Sequence, residues 1–367
     1  MKIVYISSSK IPSRTANSIQ VMKMCNAFAK NGHEVILLAP NRRRIEQGVE
    51  DIYEYYGVEP IFKIKKLPKY IKRGAGYFYD MLAAIHAKVN NPDIVYGRNI
   101  NGCYYSLKLG MSVIYEAHHP LYDFNKRKIE IINQMPVFMN FKNLIVISNA
   151  LKRQYLRDND KFQNRIIVAH DAADYDENNK KIIKLNNDYF HVGYIGHLYR
   201  RRGVEKVFKL ARKMDWAYFH IIGGNENDIA YWKTKIIGYN NIKLYGFVKP
   251  GDIVKYKLSF DALIAPYPSK IVDKNAKNTV NWMSPLKLFE YMASGKPIIT
   301  SDLPVIREIL THMENAILCD PDNLESWIIA IKRLRENNLL RSRLGCNAKK
   351  LFLNEYTWEK RANKCII

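Results

Sequence analysis

Short apolar runs alternate along the chain with longer segments in which apolar residues recur at helical spacing. Each short run is typical of a buried strand, and each longer segment is typical of a helix that packs on a sheet. Strands that alternate with helices predict a parallel, doubly wound α/β sheet. In the first half we expect strands at Ile3–Ile6, Glu34–Leu38, Asp93–Tyr96, Val113–Tyr115, Leu144–Ile147 and Ile166–Val168.

A polar segment, Asp171–Asp188, interrupts this alternation, and its Asn, Asp and Lys residues are typical of a domain boundary. The alternation then starts again. In the second half we expect strands at His191–Ile195, Ala217–Ile222, Ile242–Tyr245, Asp261–Ala265, Pro297–Thr300 and Ala316–Leu318. The pattern therefore predicts two Rossmann-like domains, over residues 1–175 and 186–354, that face a cleft. Such a pair binds its ligand at the carboxyl ends of the strands.

Composition restricts the class of protein. No apolar run is long enough to span a bilayer, and Met1–Lys10 does not have the layout of a signal peptide. The five cysteines are scattered and never spaced as C-x-x-C, so they indicate reduced thiols and neither disulfides nor a zinc site. We therefore expect a soluble cytoplasmic protein.

The formal net charge of +23 is unusual, and the excess is spread over both halves of the chain. Such a charge favours polyanionic partners. Residues Ile61–Tyr79 contain six Lys or Arg and no acidic residue, interleaved with five aromatic residues. This segment is typical of a surface that binds an anionic membrane. The sequence therefore predicts a peripheral association with the inner face of a membrane.

The loop after the first strand of the second domain runs from Gly196 to Gly203 and contains three consecutive arginines. A helix is expected from about Val204. A helix N-terminus offers backbone N–H groups and the positive end of a dipole, and arginine binds phosphate oxygens in pairs. The loop therefore indicates a diphosphate site, with Arg202 favoured because it precedes a glycine that allows close backbone approach. The alternative is that the arginines are solvated.

A second segment, Ser284–Pro297, predicts a short helix with Ser284 as N-cap, Pro285 at the first helical position and Gly295 after the last turn. Apolar residues surround Glu290, so we expect a buried carboxylate that needs partners. One interpretation is an ion pair with Lys287, three residues earlier. The other is that Glu290 accepts hydrogen bonds from ribose hydroxyls while the helix start holds phosphate.

Adjacent histidines, His118 and His119, follow the strand at Val113–Tyr115, which places them where cleft residues lie. No third ligand follows at helical spacing, so no metal site is expected. The chain also lacks the G-x-G-x-x-G, P-loop and G-x-S-x-G motifs. Their absence disfavours a dinucleotide oxidoreductase, a P-loop NTPase and an α/β-hydrolase.

These motifs, together with the terminal segment Tyr356–Arg361, resemble the retaining glycosyltransferases of family 4, which have the GT-B fold. The resemblance covers nearly the whole chain. It implies that the second domain binds a nucleoside diphosphate sugar and the first binds the acceptor. It also implies that the C-terminal helix, residues 355–367, belongs to the first domain.

The resemblance also implies roles for single residues. His118 corresponds to the active-site histidine, with His119 as the alternative, and Arg202 and Glu290 complete the catalytic set. The family's arginine after the first glycine falls on His197, and the first of its two glutamates falls on Trp282, so this chain departs from the family at both positions. The expected donor-binding residues are Gly196, His197, Arg201, Arg202, Ser284, Pro285, Leu286 and Glu290.

The implied reaction transfers a hexose from a UDP- or GDP-sugar to a hydroxyl with retention, in the biosynthesis of surface polysaccharide or glycolipid. No cofactor and no metal are expected. The expected partners are the nucleotide sugar, a glycan or lipid-linked acceptor and an anionic membrane surface, and no nucleic acid. Two alternatives remain open: a nucleotide-sugar epimerase of the same fold, and a non-catalytic polyanion-binding protein.

Overall fold

The computed structural model describes residues 1–42, 45–68, 76–175, 182–270 and 278–366. The chain divides into two compact units. Unit 1 consists of Met1–Asp171 and Trp358–Ile367, and unit 2 of Ala172–Thr357. The chain thus enters unit 2 four residues before the end of the predicted first domain, and it returns to unit 1 three residues after the predicted start of the C-terminal helix.

Unit 1 contains a sheet of seven strands in the order β3-β2-β1-β4-β5-β6-β7, and every pairing is parallel. The strands are β1 (Lys2–Ile6), β2 (Glu34–Asn41), β3 (Lys63–Pro68), β4 (Ile94–Gly97), β5 (Val113–Ala117), β6 (Phe141–Val146) and β7 (Ile166–Val168). Its helices are α1 (Ala16–Lys30), α2 (Ile52–Tyr56), α3 (Gly76–Val89), α4 (Ile100–Lys108), α5 (Lys126–Gln134), α6 (Asn149–Asp158) and α13 (Trp358–Cys365).

Unit 2 contains a sheet of six parallel strands in the order β10-β9-β8-β11-β12-β13. The strands are β8 (Phe190–Ile195), β9 (Ala217–Ile222), β10 (Ile242–Gly246), β11 (Ala262–Ala265), β12 (Ile298–Ser301) and β13 (Ile317–Cys319). Its helices are α7 (Val204–Ala211), α8 (Glu226–Lys233), α9 (Pro250–Ser259), α10 (Leu286–Ser294), α11 (Leu324–Glu336) and α12 (Asn338–Glu355).

The predicted fold class, two Rossmann-like parallel-sheet domains, is confirmed. In each unit the first strand lies between two neighbours, β1 between β2 and β4, and β8 between β9 and β11. The strand order reverses at these positions, and parallel sheets bind ligands outside the carboxyl ends of the strands at such a point. The loops that follow β8 and β11 are therefore placed to form a site.

Strand β3 was not predicted from the sequence, because its sequence KIKKLP has few apolar residues. It lies at the edge of the sheet, and Lys63 and Lys65 are exposed while Leu67 is buried. Lysines on an edge strand oppose pairing with another chain. Part of the basic segment Ile61–Tyr79 therefore forms a sheet edge, and residues 69–75 of it lie outside the described residues.

Helix α13 packs against α1 in unit 1, so the last residues of the chain complete the first sheet's helical layer. Asn31 at the end of α1 donates from its amide to the Glu359 carbonyl oxygen at 3.0 Å. The guanidinium of Arg361 is buried and donates to the carbonyl oxygens of His170 and Ala169, which follow β7. Helix α13 is therefore hydrogen-bonded both to the end of α1 and to the segment that follows β7.

Candidate functional site

The loop between β8 and α7 is shaped by the two glycines that bound it. Gly196 and Gly203 have φ values of 147° and 105°, which residues with a Cβ rarely adopt. A Cβ on Gly203 would lie 1.8 Å from the Pro266 carbonyl oxygen, so only glycine fits there. The Trp232 indole donates to the Leu198 carbonyl oxygen at 2.7 Å and fixes the middle of the loop.

The structure separates the three arginines of this loop. The Arg200 guanidinium lies over the Tyr231 ring, 3.7 Å from its centroid. Arg201 is exposed and has a positive φ of 61°. Arg202 is partly buried, and its positive charge is among the influences that lower the pKa of His197. Arg202 is therefore the least exposed of the three arginines.

Glu205, in the first turn of α7, occupies part of the expected anion site and was not predicted from the sequence. The backbone N–H groups of Arg201 and Gly203 donate to its carboxylate, at 2.6 and 3.3 Å. The sequence predicts free N–H groups at this helix start, but these two are already bonded to Glu205. A phosphate in this loop therefore depends on side-chain cations or displaces Glu205.

Helix α10 begins one residue later than the sequence predicted. Pro285 is the N-cap and Leu286 the first helical residue, so the prediction of Ser284 as N-cap is wrong. Ser284 is buried, and Pro285 as N-cap residue has no side-chain acceptor to offer the helix start. Within the described ranges, no side chain accepts a hydrogen bond from the first backbone N–H groups of α10. At the other end Gly295 is the C-cap with a φ of 69°, as predicted.

Glu290 is partly buried, not fully buried as expected, because the neighbouring helix positions Leu288 and Phe289 take the core side of α10. Among the described residues no hydrogen bond or ion pair joins Glu290 to Lys287. The Lys287 ammonium lies instead 3.8 Å from the centroid of the Tyr194 ring. The carboxylate of Glu290 therefore remains available to a ligand.

Trp282, where the resemblance expects a glutamate, is buried with 3% exposure. An indole in this position contributes apolar contact and offers no carboxylate. Several of the predicted donor-site residues lie near Lys287. The lysine contacts Gly196 and lies over the ring of Tyr267, and its charge acts on His197. The charges of Arg202 and Glu290 also act on the Tyr267 phenol. Lys287 was considered in the sequence only as a partner of Glu290.

His118 lies in unit 1, directly after β5, and its environment fixes its charge. Its Nε2 lies 2.6 Å from Glu116 Oε1. Burial and the positive charge of Arg98 lower the pKa of His118 to about 3, although Glu116 opposes this shift. The imidazole is therefore neutral at pH 7, and because the carboxylate can only accept, Nε2 carries the proton and Nδ1 is left as an acceptor.

Glu116 is fully buried and holds several side chains. Its Oε1 accepts hydrogen bonds from Gln20 and from the Arg361 guanidinium, both at 2.8 Å, and the Tyr96 hydroxyl donates to Oε2. Burial alone would raise the pKa of Glu116, but the charge of Arg361 and the hydrogen bond of His118 lower it well below its usual range. Glu116 is thus an anion, and it was not singled out in the sequence.

The alternative histidine, His119, is half exposed, and its Nδ1 lies 3.2 Å from the carboxylate of Asp123. His118 has the more enclosed and more strongly constrained ring. No group of three or more His, Cys, Asp or Glu residues is arranged to hold a metal ion within the described ranges.

Two family models match the chain. The model of Glycosyltransferase Family 4 matches residues 18–177, and the model of Glycosyl transferases group 1 matches residues 176–351. The first ends and the second begins close to the division between unit 1 and unit 2. The two models thus cover both units.

Relatives with curated names agree with these models. An uncharacterized glycosyltransferase of Methanocaldococcus jannaschii, MJ1178, is 25% identical over 60% of this chain, and the chain spans 57% of its length. The O-antigen chain mannosyltransferase RfbU of Salmonella typhimurium is 45% identical over 47 residues, 13% of each chain.

Among solved structures, Anabaena Alr3699/HepE in complex with UDP superposes with a TM-score of 0.74 at 13% identity, covering 99% of this chain and 98% of the other. At this identity the likeness concerns the fold. The family models and the two parallel sheets lead to one conclusion: the chain belongs to the group 1 glycosyltransferases of family 4 and has the GT-B fold.

Proposed function

We propose that the protein transfers a hexose from a nucleoside diphosphate sugar, a UDP- or GDP-sugar, to a hydroxyl of a glycan or lipid-linked acceptor, with retention of the anomeric configuration. The observation that carries the proposal is in unit 2. Lys287 lies beside Gly196, the charge of Arg202 acts on the neighbouring Tyr267, and Glu290 presents a carboxylate with no protein partner among the described residues. Cations suit a diphosphate, and the carboxylate suits vicinal ribose hydroxyls.

In this reaction the bond between C1 of the sugar and the β-phosphate oxygen breaks, and its electron pair stays on the diphosphate. The acceptor oxygen forms the new bond to C1, and the acceptor proton passes to a departing phosphate oxygen. Negative charge therefore grows on the diphosphate, and fixed cations that stabilise it lower the barrier. This proposal assigns that role to Arg202, and it assigns to His118 a hydrogen bond from a sugar hydroxyl to Nδ1.

The relatives support the substrate class. Alr3699/HepE has been solved with UDP and with UDP-glucose, and RfbU is named as a mannosyltransferase of the O-antigen chain. By analogy we propose a role in the biosynthesis of a surface polysaccharide or glycolipid.

The first test is a thermal-shift screen with UDP, GDP, ADP, CMP and TDP compounds. A ligand at about 100 times its Kd adds roughly 2.7 kcal/mol to the free energy of unfolding. That corresponds to about 5 to 10 °C in Tm, at roughly 2 to 4 °C per kcal/mol. Arg202→Ala is expected to lose much of the shift, whereas Arg200→Ala keeps it because Arg200 lies over Tyr231. Absence of a shift with every compound contradicts the proposed donor site.

Glu290→Gln tests the ribose contact on the same ligand. We expect weaker nucleotide binding with an unchanged melting temperature of the free protein, since Gln keeps the shape and the part of the chain that the structure describes offers Glu290 no hydrogen-bond partner to lose. Product analysis with a labelled donor then identifies transfer, and the anomeric configuration of the product tests retention. An epimerised free nucleotide sugar in place of a glycoside would contradict transfer.

We also propose that unit 1 binds an anionic membrane surface. Helix α3 exposes Phe78, Met81, Ile85 and Val89, at 42, 47, 45 and 77%. Their spacing places them along one side of the helix. The basic residues of Ile61–Tyr79 precede α3 in the sequence, and we propose that attraction of these residues to anionic lipid acts together with apolar insertion of the helix. No helix among the described residues is long and apolar enough to cross a membrane.

The membrane proposal predicts binding to phosphatidylserine vesicles and release by salt, because each Lys or Arg near an anionic surface contributes only about 1 kcal/mol and is screened. Replacing Ile85 and Val89 with Gln is expected to reduce sedimentation with the vesicles. A matched control is Leu339→Gln, because Leu339 is also exposed, at 83%, but lies in α12 of unit 2. Equal partition onto neutral and anionic vesicles would contradict the proposal.

A further inference from the structure

Lys287 lies in the first turn of α10, and its side chain extends across the start of the loop after β8. Its Nζ lies 3.8 Å from the centroid of the Tyr194 ring and 5.7 Å from that of Tyr267. A Cβ on Gly196 would lie 2.7 Å from Lys287 Cε and 2.9 Å from Nζ. The glycine therefore makes room for the ammonium, since any other residue would displace the end of the lysine.

The lysine has charge-stabilising rings but no hydrogen-bond acceptor of its own. Among the described residues, no oxygen or nitrogen accepts a hydrogen bond from Nζ. Lys287 is partly exposed, so the three donors of its ammonium are open to water or to a ligand oxygen. Burial lowers the pKa of Lys287 to about 7, although the charge of Glu290 opposes the shift. A negatively charged ligand oxygen would satisfy these donors.

The neighbours of Lys287 restrict the kind of anion. Arg202 acts on the same Tyr267 ring, so the site holds two cations on opposite segments, one in the loop and one on α10. The N-cap residue of α10, Pro285, also has no side-chain acceptor. Two basic side chains and a helix start whose N-cap is a proline suit a ligand with several anionic oxygens, and a diphosphate has them.

His197 does not supply the missing cation. Its ring stacks on Tyr199, with centroids 5.0 Å apart and an interplanar angle of 7°. Partial desolvation of the exposed ring and the charge of Lys287 lower the pKa of His197, so its imidazole is mostly neutral at pH 7. The position at which the family resemblance expects an arginine therefore carries no charge in this chain.

We propose that Lys287 binds the diphosphate of the nucleotide-sugar donor, and that it replaces the arginine that the family places at position 197. This inference rests on the proposed donor site. The inference predicts that donor binding raises the pKa of Lys287, because the negative diphosphate favours the charged form of the lysine. The groups that face Lys287 are Tyr194 of β8, His197 and Arg202 of the next loop, Tyr267 after β11 and Glu290 of α10 itself.

Donor binding should accordingly take up a proton above pH 7. At pH 8 the free lysine is mostly neutral and the bound lysine is charged, so uptake approaches about one proton per site. Below about pH 6 the lysine is charged in both states and uptake is absent. UDP-glucose and GDP-mannose are suitable probes, because their doubly esterified diphosphate does not titrate in this range.

The experiment is isothermal titration calorimetry at pH 8 in two buffers with different ionisation enthalpies, using whichever probe binds. The wild-type protein is expected to take up a proton. Lys287→Met should bind at least about tenfold more weakly, as expected for loss of a charged hydrogen bond, and should take up none. Lys287→Arg should restore affinity without uptake, because a guanidinium stays charged at this pH.

Two further variants separate the alternatives. Lys209→Met is the matched control, because Lys209 is exposed on α7, and it should behave as wild type. His197→Gln should retain the proton uptake, and loss of uptake in that variant would assign the proton to His197 and overturn the proposal. If Lys287→Met fails to fold, Lys287→Arg still decides, because persistent uptake in that variant contradicts the role of the lysine.

The outcomes distinguish this inference from the proposed function. Binding of a nucleotide sugar with unchanged affinity and uptake in Lys287→Met overturns the role of Lys287 and leaves the transferase proposal intact. Failure of every nucleotide sugar to bind the wild-type protein overturns both.

Discussion

At the scale of single residues, the imidazole of His118 has one proton and one open acceptor. Glu116 holds Nε2, and the pKa of about 3 keeps the ring neutral. His118 is therefore suited to accept a hydrogen bond at Nδ1 and unsuited to act as a cation. A pH profile of turnover should show no step from His118 between about pH 5 and pH 8, although an isolated histidine titrates there.

His118→Ala is predicted to lower kcat while nucleotide affinity stays near the wild-type value, because the proposed nucleotide site uses residues of unit 2. Loss of a hydrogen bond between neutral groups, of about 0.5 to 1.5 kcal/mol and made in the transition state, lowers the rate by about 2- to 13-fold. His119→Ala is the control and should be milder, because His119 is half exposed. Wild-type turnover in His118→Ala would show that His118 takes no part in the reaction.

The sequence indicated candidate residues in two segments of unit 2, but it did not predict which side chains contact each other. Arg202 is favoured over its neighbours because of the adjacent glycine, and in the structure it is partly buried while Arg200 and Arg201 are exposed. Lys287 was considered only with Glu290, since helical spacing relates those two positions. Its contact with Gly196 joins segments about 90 residues apart, and no local pattern reports such a contact. The same holds for the Glu116 pair with Arg361.

At the scale of elements, the glycine at the start of α7 sets how close the loop between β8 and α7 comes to the end of β11. Gly203 approaches the carbonyl oxygen of Pro266, just after β11. The sequence predicted the twelve apolar strands because burial on both faces of a parallel sheet gives a continuous apolar run. It missed β3, whose lysines mark a sheet edge.

Gly203→Ala is predicted to destabilise unit 2 and to weaken nucleotide binding. The positive φ alone costs about 1 to 2 kcal/mol for a residue with a Cβ, and the contact with Pro266 moves the loop as well. Gly110→Ala is the matched control, because Gly110 has a φ of 81° but no atom within 4 Å of the added Cβ. Urea unfolding and a nucleotide titration measure both effects. An equal loss of stability in the two variants would show that the Pro266 contact is unimportant.

At the scale of the whole molecule, unit 1 is built from two distant parts of the chain, and a buried ion pair joins them. Arg361 Nη2 lies 2.8 Å from Glu116 Oε1, and both side chains are almost fully enclosed. The two-domain plan followed from the repeated alternation of strands and helices. The return of the chain to unit 1 followed only from the family resemblance, since a helix at the end of a sequence carries no sign of the sheet it covers.

Arg361→Met is predicted to destabilise unit 1 by about 3 to 5 kcal/mol, because it leaves the Glu116 carboxylate buried without its cation. The double variant with Glu116→Gln should be less destabilised than Arg361→Met alone, since it removes the uncompensated charge. Nucleotide binding by unit 2 should persist in both. A double variant as unstable as the sum of the single variants would mean that the pair is not coupled.

The return of the chain to unit 1 has a consequence for synthesis on the ribosome. Unit 2 is contiguous, from Ala172 to Thr357, whereas unit 1 waits for Trp358 and the residues after it. Glu116 therefore lacks Arg361 until all of unit 2 has been synthesised, so the hydrogen-bond network around His118 is completed only after that point. A chain that stopped at Thr357 would keep the six-stranded sheet of unit 2 but would lack this network.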